Sequence, residues 1–156
     1  MVIFCDIDGV IADCSHRLHY LEERDYDSFY SEKEMLNDKP IEAGIELVNS
    51  LQDYYLNEFY YLTGRPIRTF ETTNKWLEKN NLLKAPIFMR KDHDYRKSSV
   101  VKVQELKKYF KHNIVESPIL FIDDDPANVK AVIEVFPQIK GMIFGTRRLF
   151  EACLKK

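Results

Sequence analysis

Five short runs, apolar almost throughout, constrain this chain most: VIFC (2–5), FYYL (59–62), PIFM (86–89), PILFI (118–122) and IKGMIF (139–144). Runs of this length without polar alternation fit strands covered on both faces, as in a parallel sheet. Helical stripes separate them. Ala43, Leu47, Val48, Leu51 and Tyr55 share one helix face. A second helix is expected from Pro66 with Phe70, Thr73 and Leu77 inward, and a third carries Val100, Val103, Leu106 and Phe110. A fourth starts with Asp125 as N-cap and Pro126 at its first position, and buries Val129, Val132, Ile133 and Phe136. Strand and helix in alternation predict an α/β fold, a three-layer doubly wound parallel sheet. With 156 residues, 1–156 reads as one domain.

Residues 13–41 break the rhythm. They are polar and aromatic and too long for an ordinary connection, so a flap or minimal cap after the first strand is expected. From Asp13 to Glu46 there are four Lys/Arg against ten Asp/Glu; from Arg90 to Lys111 the count is eight against three. The molecule should therefore be electrostatically two-sided, although solvated helix faces account for most of these charges. No apolar run approaches the roughly 20 residues of a membrane span, and with strand-like residues directly after Met1 no signal peptide is expected. Cys5, Cys14 and Cys153 have neither disulfide nor zinc spacing, and a cytoplasmic location is expected.

Sheets of this type bind ligands beyond the carboxyl ends of their strands. The residues there are Asp6-Ile7-Asp8-Gly9, Thr63-Gly64-Arg65 and Asp123-Asp124, with Lys102 near the start of the third helix. Each alone is a weak signal, since DxDG occurs in turns and a paired acid can cap a helix. All four at one sheet edge form a strong one. An EF-hand is excluded because the twelfth loop position is Arg17. A receiver domain is disfavoured because it carries its acid pair first, whereas here the pair follows the lysine. His16 and His19 in a polar loop read as solvated, His93-Asp94 lacks metal-site partners, and Trp76 reads as core.

The set resembles the haloacid dehalogenase (HAD)-like phosphohydrolases, whose motifs are DxDG, a Thr or Ser, a Lys and a paired acid; Val10 stands where many members have Thr. The resemblance runs from Val2 to about Phe144 and implies a HAD-like core. It also implies roles. Asp6 would be the nucleophile that forms an aspartyl-phosphate, and Asp8 the acid and base. Thr63 would bond a phosphoryl oxygen, and Lys102 would neutralise developing charge. Asp6, the Asp8 backbone carbonyl, Asp123 and Asp124 would hold Mg2+. Two carboxylates about 4 Å apart repel by roughly 4 kcal/mol at an effective dielectric near 20, so such a cluster calls for a cation.

A narrower resemblance joins LTGRP, Trp76-Leu77, MRKDHDYRKSSVVK and IDDDP. It is to the phosphatase domain of polynucleotide kinase 3'-phosphatases, the phage type in particular. It implies substrate or phosphate contacts from Thr63, Gly64, Arg65, Arg17, Arg90, Asp94 and Arg96, and a 3'-phosphate end of nucleic acid as substrate. Guanidinium groups suit that task because they grip phosphate bidentately; the alternative is that Arg90, Asp94 and Arg96 only brace their own loop. No GxxxxGK[ST] loop occurs, so a kinase or repair partner would be separate. The net charge of -2 departs from the basic footprint of extended nucleic-acid binders. DIDGVIAD also resembles the opening of deoxyribonucleotidases, which makes a small-molecule phosphatase such as a 5'(3')-deoxyribonucleotidase the alternative. A non-catalytic phosphate-binding module is the more distant one, since it has no need of Asp8.

Overall fold

The computed structural model describes residues 1–145; Cys153 and the rest of 146–156 lie outside the described residues. In chain order the elements are β1 (Val2–Cys5), β2 (Ala12–Asp13), α1 (Leu18–Glu22), α2 (Tyr26–Phe29), α3 (Glu32–Leu36), β3 (Lys39–Pro40) and α4 (Glu42–Tyr55). They continue with β4 (Phe59–Pro66), α5 (Phe70–Lys79), β5 (Ile87–Arg90), α6 (Ser98–His112), β6 (Ile119–Asp123), α7 (Pro126–Val135) and β7 (Ile139–Ile143).

Five strands form a parallel sheet in the order β5-β4-β1-β6-β7. The pleat of β1 sorts its side chains onto two cores. Ile3 and Cys5 pack with Val48 of α4 and with Trp76 and Leu77 of α5. Val2 and Phe4 pack on the other face with Leu106 of α6 and with Val129 and Val132 of α7. Three layers follow directly, as the strand and helix patterning predicts.

Chain direction across the sheet reverses at β1. From it the chain moves outward through β4 to β5, then crosses back to β6 and on to β7. The switch point therefore lies between β1 and β6, the place where such sheets open a crevice. Asp6 follows β1 and Asp123 closes β6, one on each side of it.

Several sequence expectations meet local corrections. The helix expected from Pro66 begins at Phe70, because β4 runs on through Pro66 and a 3-10 turn, Ile67–Thr69, follows. Ile133, Val100 and Phe70 are exposed rather than inward; helical spacing fixes the face a residue shares but not how far the neighbouring element extends to cover it. The run at 139–144 is not covered on both faces. Strand β7 is a sheet edge among the described residues, and only Ile139 of it is buried.

The 13–41 segment folds as three short helices closed by a two-stranded antiparallel ribbon, Ala12 opposite Pro40 and Asp13 opposite Lys39. Asp25 caps α2 by accepting from the Ser28 N–H at 3.0 Å, and Ser31 caps α3. Phe29 and Met35 are its buried anchors. Trp76 ties it to the body by donating its indole N–H to the Asp38 carbonyl at 2.9 Å.

Candidate active site

The chain leaves β1 at Asp6 and turns at once. Ile11 and Ala12 both donate backbone N–H to the Ile7 carbonyl at 3.0 Å, and Gly9 N–H reaches the Ala12 carbonyl at 2.8 Å. Gly9 has φ +83°, and a Cβ there would lie 2.2 Å from Asp124 Oδ2. Glycine is thus required twice over, by backbone conformation and by the approach of the paired acid. Gly44 in the first turn of α4 braces the same loop, since a Cβ there would fall 1.8 Å from the Val10 carbonyl oxygen.

At the switch point Asp6, Asp123 and Asp124 each present a carboxylate oxygen within 4.8 Å of the others. Lys102 reaches them from α6, fully buried, and its Nζ donates to Asp6 and to Asp123 at 2.5 Å each. Asn128, in the first turns of α7, donates to both oxygens of Asp123 at 3.0 and 3.2 Å. Burial pushes the Asp6 carboxyl well above the usual carboxylate range; Lys102 pulls it down, and the charges of Asp123 and Asp8 push it up again. Burial likewise opposes the charge on Lys102, but the two acids more than offset this and raise its pKa.

Charge bookkeeping tests whether a metal fits. Three ionised acids and one lysine leave a net charge of two minus in a buried space. Each acid pair at that spacing repels by about 3 kcal/mol at an effective dielectric near 20. The donors are carboxylate oxygens, hard ligands that suit a small divalent cation. The residues present therefore fit Mg2+, with Asp6, Asp123 and Asp124 as the side chains that would hold it.

Asp8 sits in a second cluster. Arg65 donates Nε and Nη2 to its two oxygens at 2.9 and 2.7 Å, and Arg17 donates Nη2 to Oδ1 at 2.9 Å. Both guanidiniums also bind Asp38. Arg17 does so bidentately, at 2.7 Å for each bond, and Arg65 at 2.9 Å. Arg17 further donates to the Phe29 carbonyl at 3.1 Å, and its guanidinium lies 4.2 Å from the centre of the Phe29 ring. Two arginines and two aspartates make a neutral quartet, which is what allows four charges to sit where Arg17, Arg65 and Asp38 have almost no solvent. Burial alone would raise the Asp8 pKa, but Arg65 and then Arg17 lower it to about 2.

Arg17 and Arg65, expected on a phosphate, thus face carboxylates, because buried Asp38 and half-buried Asp8 offer them a fixed counter-charge. Asp38 is the residue that sequence reasoning missed. Its signal was indirect: two arginines assigned to a buried site need more negative charge than Asp8 supplies.

Thr63 is buried, and its Oγ1 accepts the Arg65 N–H at 3.3 Å. The pairing of β4 with β5 shifts register between Leu62 and Pro66, so the Thr63-Gly64-Arg65 stretch bends away from the regular ladder. Arg90, at the end of β5, donates Nε to the Gly64 carbonyl at 2.7 Å and Nη1 to the carbonyls of Asp94 and Arg96 at 2.6 Å each. Arg96 returns a two-point bridge to Asp94, at 2.8 and 2.6 Å, and this holds the Asp94 carboxyl well below its usual range. The trio is therefore a brace, and it also lines the cavity.

That cavity, about 390 Å³, is of small-ligand size. Asp6, Asp8 and Asp124 lie at its buried end, and Gly64, Arg90, Asp94 and Arg96 form one wall. The 13–41 segment adds Leu18, Leu21, Tyr26, Phe29 and Tyr30 to the lining. Among the described residues no helix is long and apolar enough to cross a membrane.

Solved structures share this fold. In a Pnkp1/Rnl/Hen1 complex a chain 18% identical aligns with a TM-score of 0.67 over 92% of this chain and 45% of its own. The Pnkp1/Rnl/Hen1 RNA repair complex gives 19% identity, the same score and 92% coverage, against 42% of that chain. A hydrolase from Streptococcus pneumoniae TIGR4, 12% identical, aligns with a TM-score of 0.56 over 99% of this chain and 97% of its own. The present chain spans less than half the length of the first two. No curated protein matches it. The family described as the polynucleotide kinase PNKP phosphatase domain matches residues 1–134. The chain belongs to that family, and it is a HAD-like phosphatase.

Proposed function

We propose that the chain is a magnesium-dependent phosphomonoesterase that works through an aspartyl-phosphate on Asp6 and removes 3'-phosphates from nucleic-acid ends. One observation carries the chemistry: Lys102 bridges Asp6 and Asp123 beside Asp124 at the closed end of a cavity. Membership in the PNKP phosphatase family supports the choice of substrate.

A phosphoester enters the cavity with phosphorus toward Asp6. The Asp6 carboxylate attacks phosphorus while the ester oxygen leaves with a proton from Asp8. Water then attacks the phosphorus of the phospho-Asp6 and gives its proton to Asp8, releasing phosphate and restoring both acids. Lys102 holds the Asp6 oxygen in place and offsets negative charge on the transferring group. A bound Mg2+ would supply further charge neutralisation for the phosphoryl oxygens.

Asp8, clamped by Arg65 and Arg17 and ionised at neutral pH, is poised as the base of the second step. An incoming phosphate dianion beside it raises its affinity for a proton, which prepares it as the acid of the first. Asp38 keeps the two arginines in register with Asp8 throughout.

The relatives found in an RNA repair complex support a place in end repair, with kinase activity supplied by another chain or domain. The cytoplasm, the compartment that the cysteine spacing points to, suits such work. The test compares a 3'-phosphorylated oligonucleotide with free nucleoside monophosphates, in Mg2+ and in EDTA. Magnesium-dependent turnover with higher kcat/KM on the oligonucleotide is expected. Preference for the monophosphates would replace the nucleic-acid end with a nucleotide substrate.

A further inference from the structure

We propose that Tyr26 and Tyr95 form a stacking platform for the base of the nucleotide that carries the scissile phosphate. This rests on the reading above, that the cavity takes a phosphorylated nucleic-acid end.

The two tyrosines reach the cavity from different segments of the chain. Tyr26 opens α2 in the 13–41 segment, and Tyr95 lies in the loop between β5 and α6. Their ring centroids are 5.4 Å apart with planes inclined at 50°, so the rings touch and a base would stack on the outer, exposed face of the pair. Both are exposed, Tyr95 to 68%, whereas Asp6 at the far end is 5% exposed. The pair therefore marks the mouth of the cavity and the acids its floor.

Nothing about core packing requires Tyr95 to stand in water. Its loop is nonetheless heavily built. Arg90 binds the carbonyls of Asp94 and Arg96, and Arg96 bridges back to the Asp94 carboxylate. Both neighbours of Tyr95 are thus fixed while its ring is presented outward. His93 beside them has φ +60°, in the left-handed region that few residues other than glycine adopt. A loop braced this tightly around an exposed ring implies that the ring's position matters.

The surroundings narrow the ligand. Leu18, Leu21 and Phe29 line the same cavity and offer apolar surface that neither inorganic phosphate nor a bare sugar phosphate would use. Lys91 and Arg68 lie on the same lining and suit a backbone phosphate, Arg68 by exchanging its solvent-exposed partners Asp27 and Asp92. Phosphate-reactive floor, aromatic mouth and basic wall together fit a single-strand terminus, whose bases stack on aromatic side chains without sequence preference. The rival reading is a strut, two tyrosines that merely hold α2 against the loop.

The test uses four substrates. Two are 3'-phosphorylated oligonucleotides, one ending in an intact nucleotide and one in an abasic deoxyribose. The other two are a nucleoside 3'-monophosphate and deoxyribose 3-phosphate. For wild type the ratio of kcat/KM, base-bearing over abasic, should be about tenfold or more within each pair. In Y26A/Y95A that ratio should collapse towards unity, while Y26F/Y95F should keep it. Because the readout is a ratio, a general loss of activity cancels. If the double alanine variant does not fold, Y95A alone serves, its side chain being largely in solvent.

A ratio in the alanine variant within about twofold of wild type overturns the platform and leaves the strut. Loss of the ratio in the phenylalanine variant also overturns stacking, in favour of a hydroxyl contact. Failure of the nucleic-acid reading looks different: monophosphates outperform oligonucleotides, and the base dependence is then read from the small pair alone.

Discussion

Replacing Asp38 by asparagine removes one charge from the buried quartet and little else in shape. Asp38 accepts three guanidinium bonds, two from Arg17 at 2.7 Å and one from Arg65 at 2.9 Å. In Asp38→Asn one carboxylate oxygen becomes an NH2 group facing N–H donors. The quartet turns from neutral to a net charge of one plus in a region where Arg17 and Arg65 are solvent-free. Breaking a buried ion pair by removing one partner costs about 3–5 kcal/mol, mostly from the charge left behind. For a chain of this size each kcal/mol lowers Tm by roughly 2–4 °C, so a drop on the order of 10 °C is expected. The orphaned guanidiniums should also pull harder on Asp8 and displace it, lowering kcat about tenfold or more at a temperature where the variant is folded. Scanning calorimetry and steady-state turnover of an aryl phosphate provide the two readouts. A variant within about 2 °C of wild type with unchanged kcat would refute the reasoning, because the quartet would then not depend on its second acid.

Three further changes probe the rest of the site. Gly9→Ala should destabilise by about 1–3 kcal/mol from its positive φ alone and push the Asp124 carboxylate aside. Its signature should be a weaker response to Mg2+ than wild type shows, measured by titration. Saturating Mg2+ at 100 times its Kd should stabilise the native protein by about 2.7 kcal/mol. That increment should shrink in a D123N/D124N double variant, and an equal shift in melting there would place the ion elsewhere. Arg90→Lys cannot reach three carbonyls with one ammonium group, so residues 91–96 should exchange amide hydrogens faster. Unchanged exchange would mean that the loop holds itself.

The parts of the fold that were legible are those where one physical requirement dominates. Strands β1, β4 and β6 are covered on both faces, so their residues had to be apolar, and the runs announced them. An apolar run cannot reveal which strand ends up at the edge, and β7 looked like the others. Helix margins escaped for a similar reason: spacing places Val100 and Ile133 on a stripe but does not say how far the neighbour reaches.

In the site, residues fixed to strand ends and helix starts were visible because their positions carry the signal. Asp6, Lys102 and Asp123 are of this kind, whereas Thr63 ends the apolar run but lies inside β4, which continues through Pro66. Asp38 lies in an irregular segment of many acids, 21 and 27 residues from the arginines it serves. Only folding shows that it is the one turned inward. Arg17 and Arg65 were found as cations of the site, but their partners depend on that same acid.

The central claim is a phosphoryl group carried on Asp6. Turnover quenched in acid, followed by borohydride reduction and peptide mapping, tests it most directly, since reduction converts a phosphorylated aspartate to homoserine. Homoserine is expected at position 6 in the wild type and absent in Asp6→Asn. Its appearance at another acid, or substantial turnover by the Asp6→Asn variant, would contradict the account.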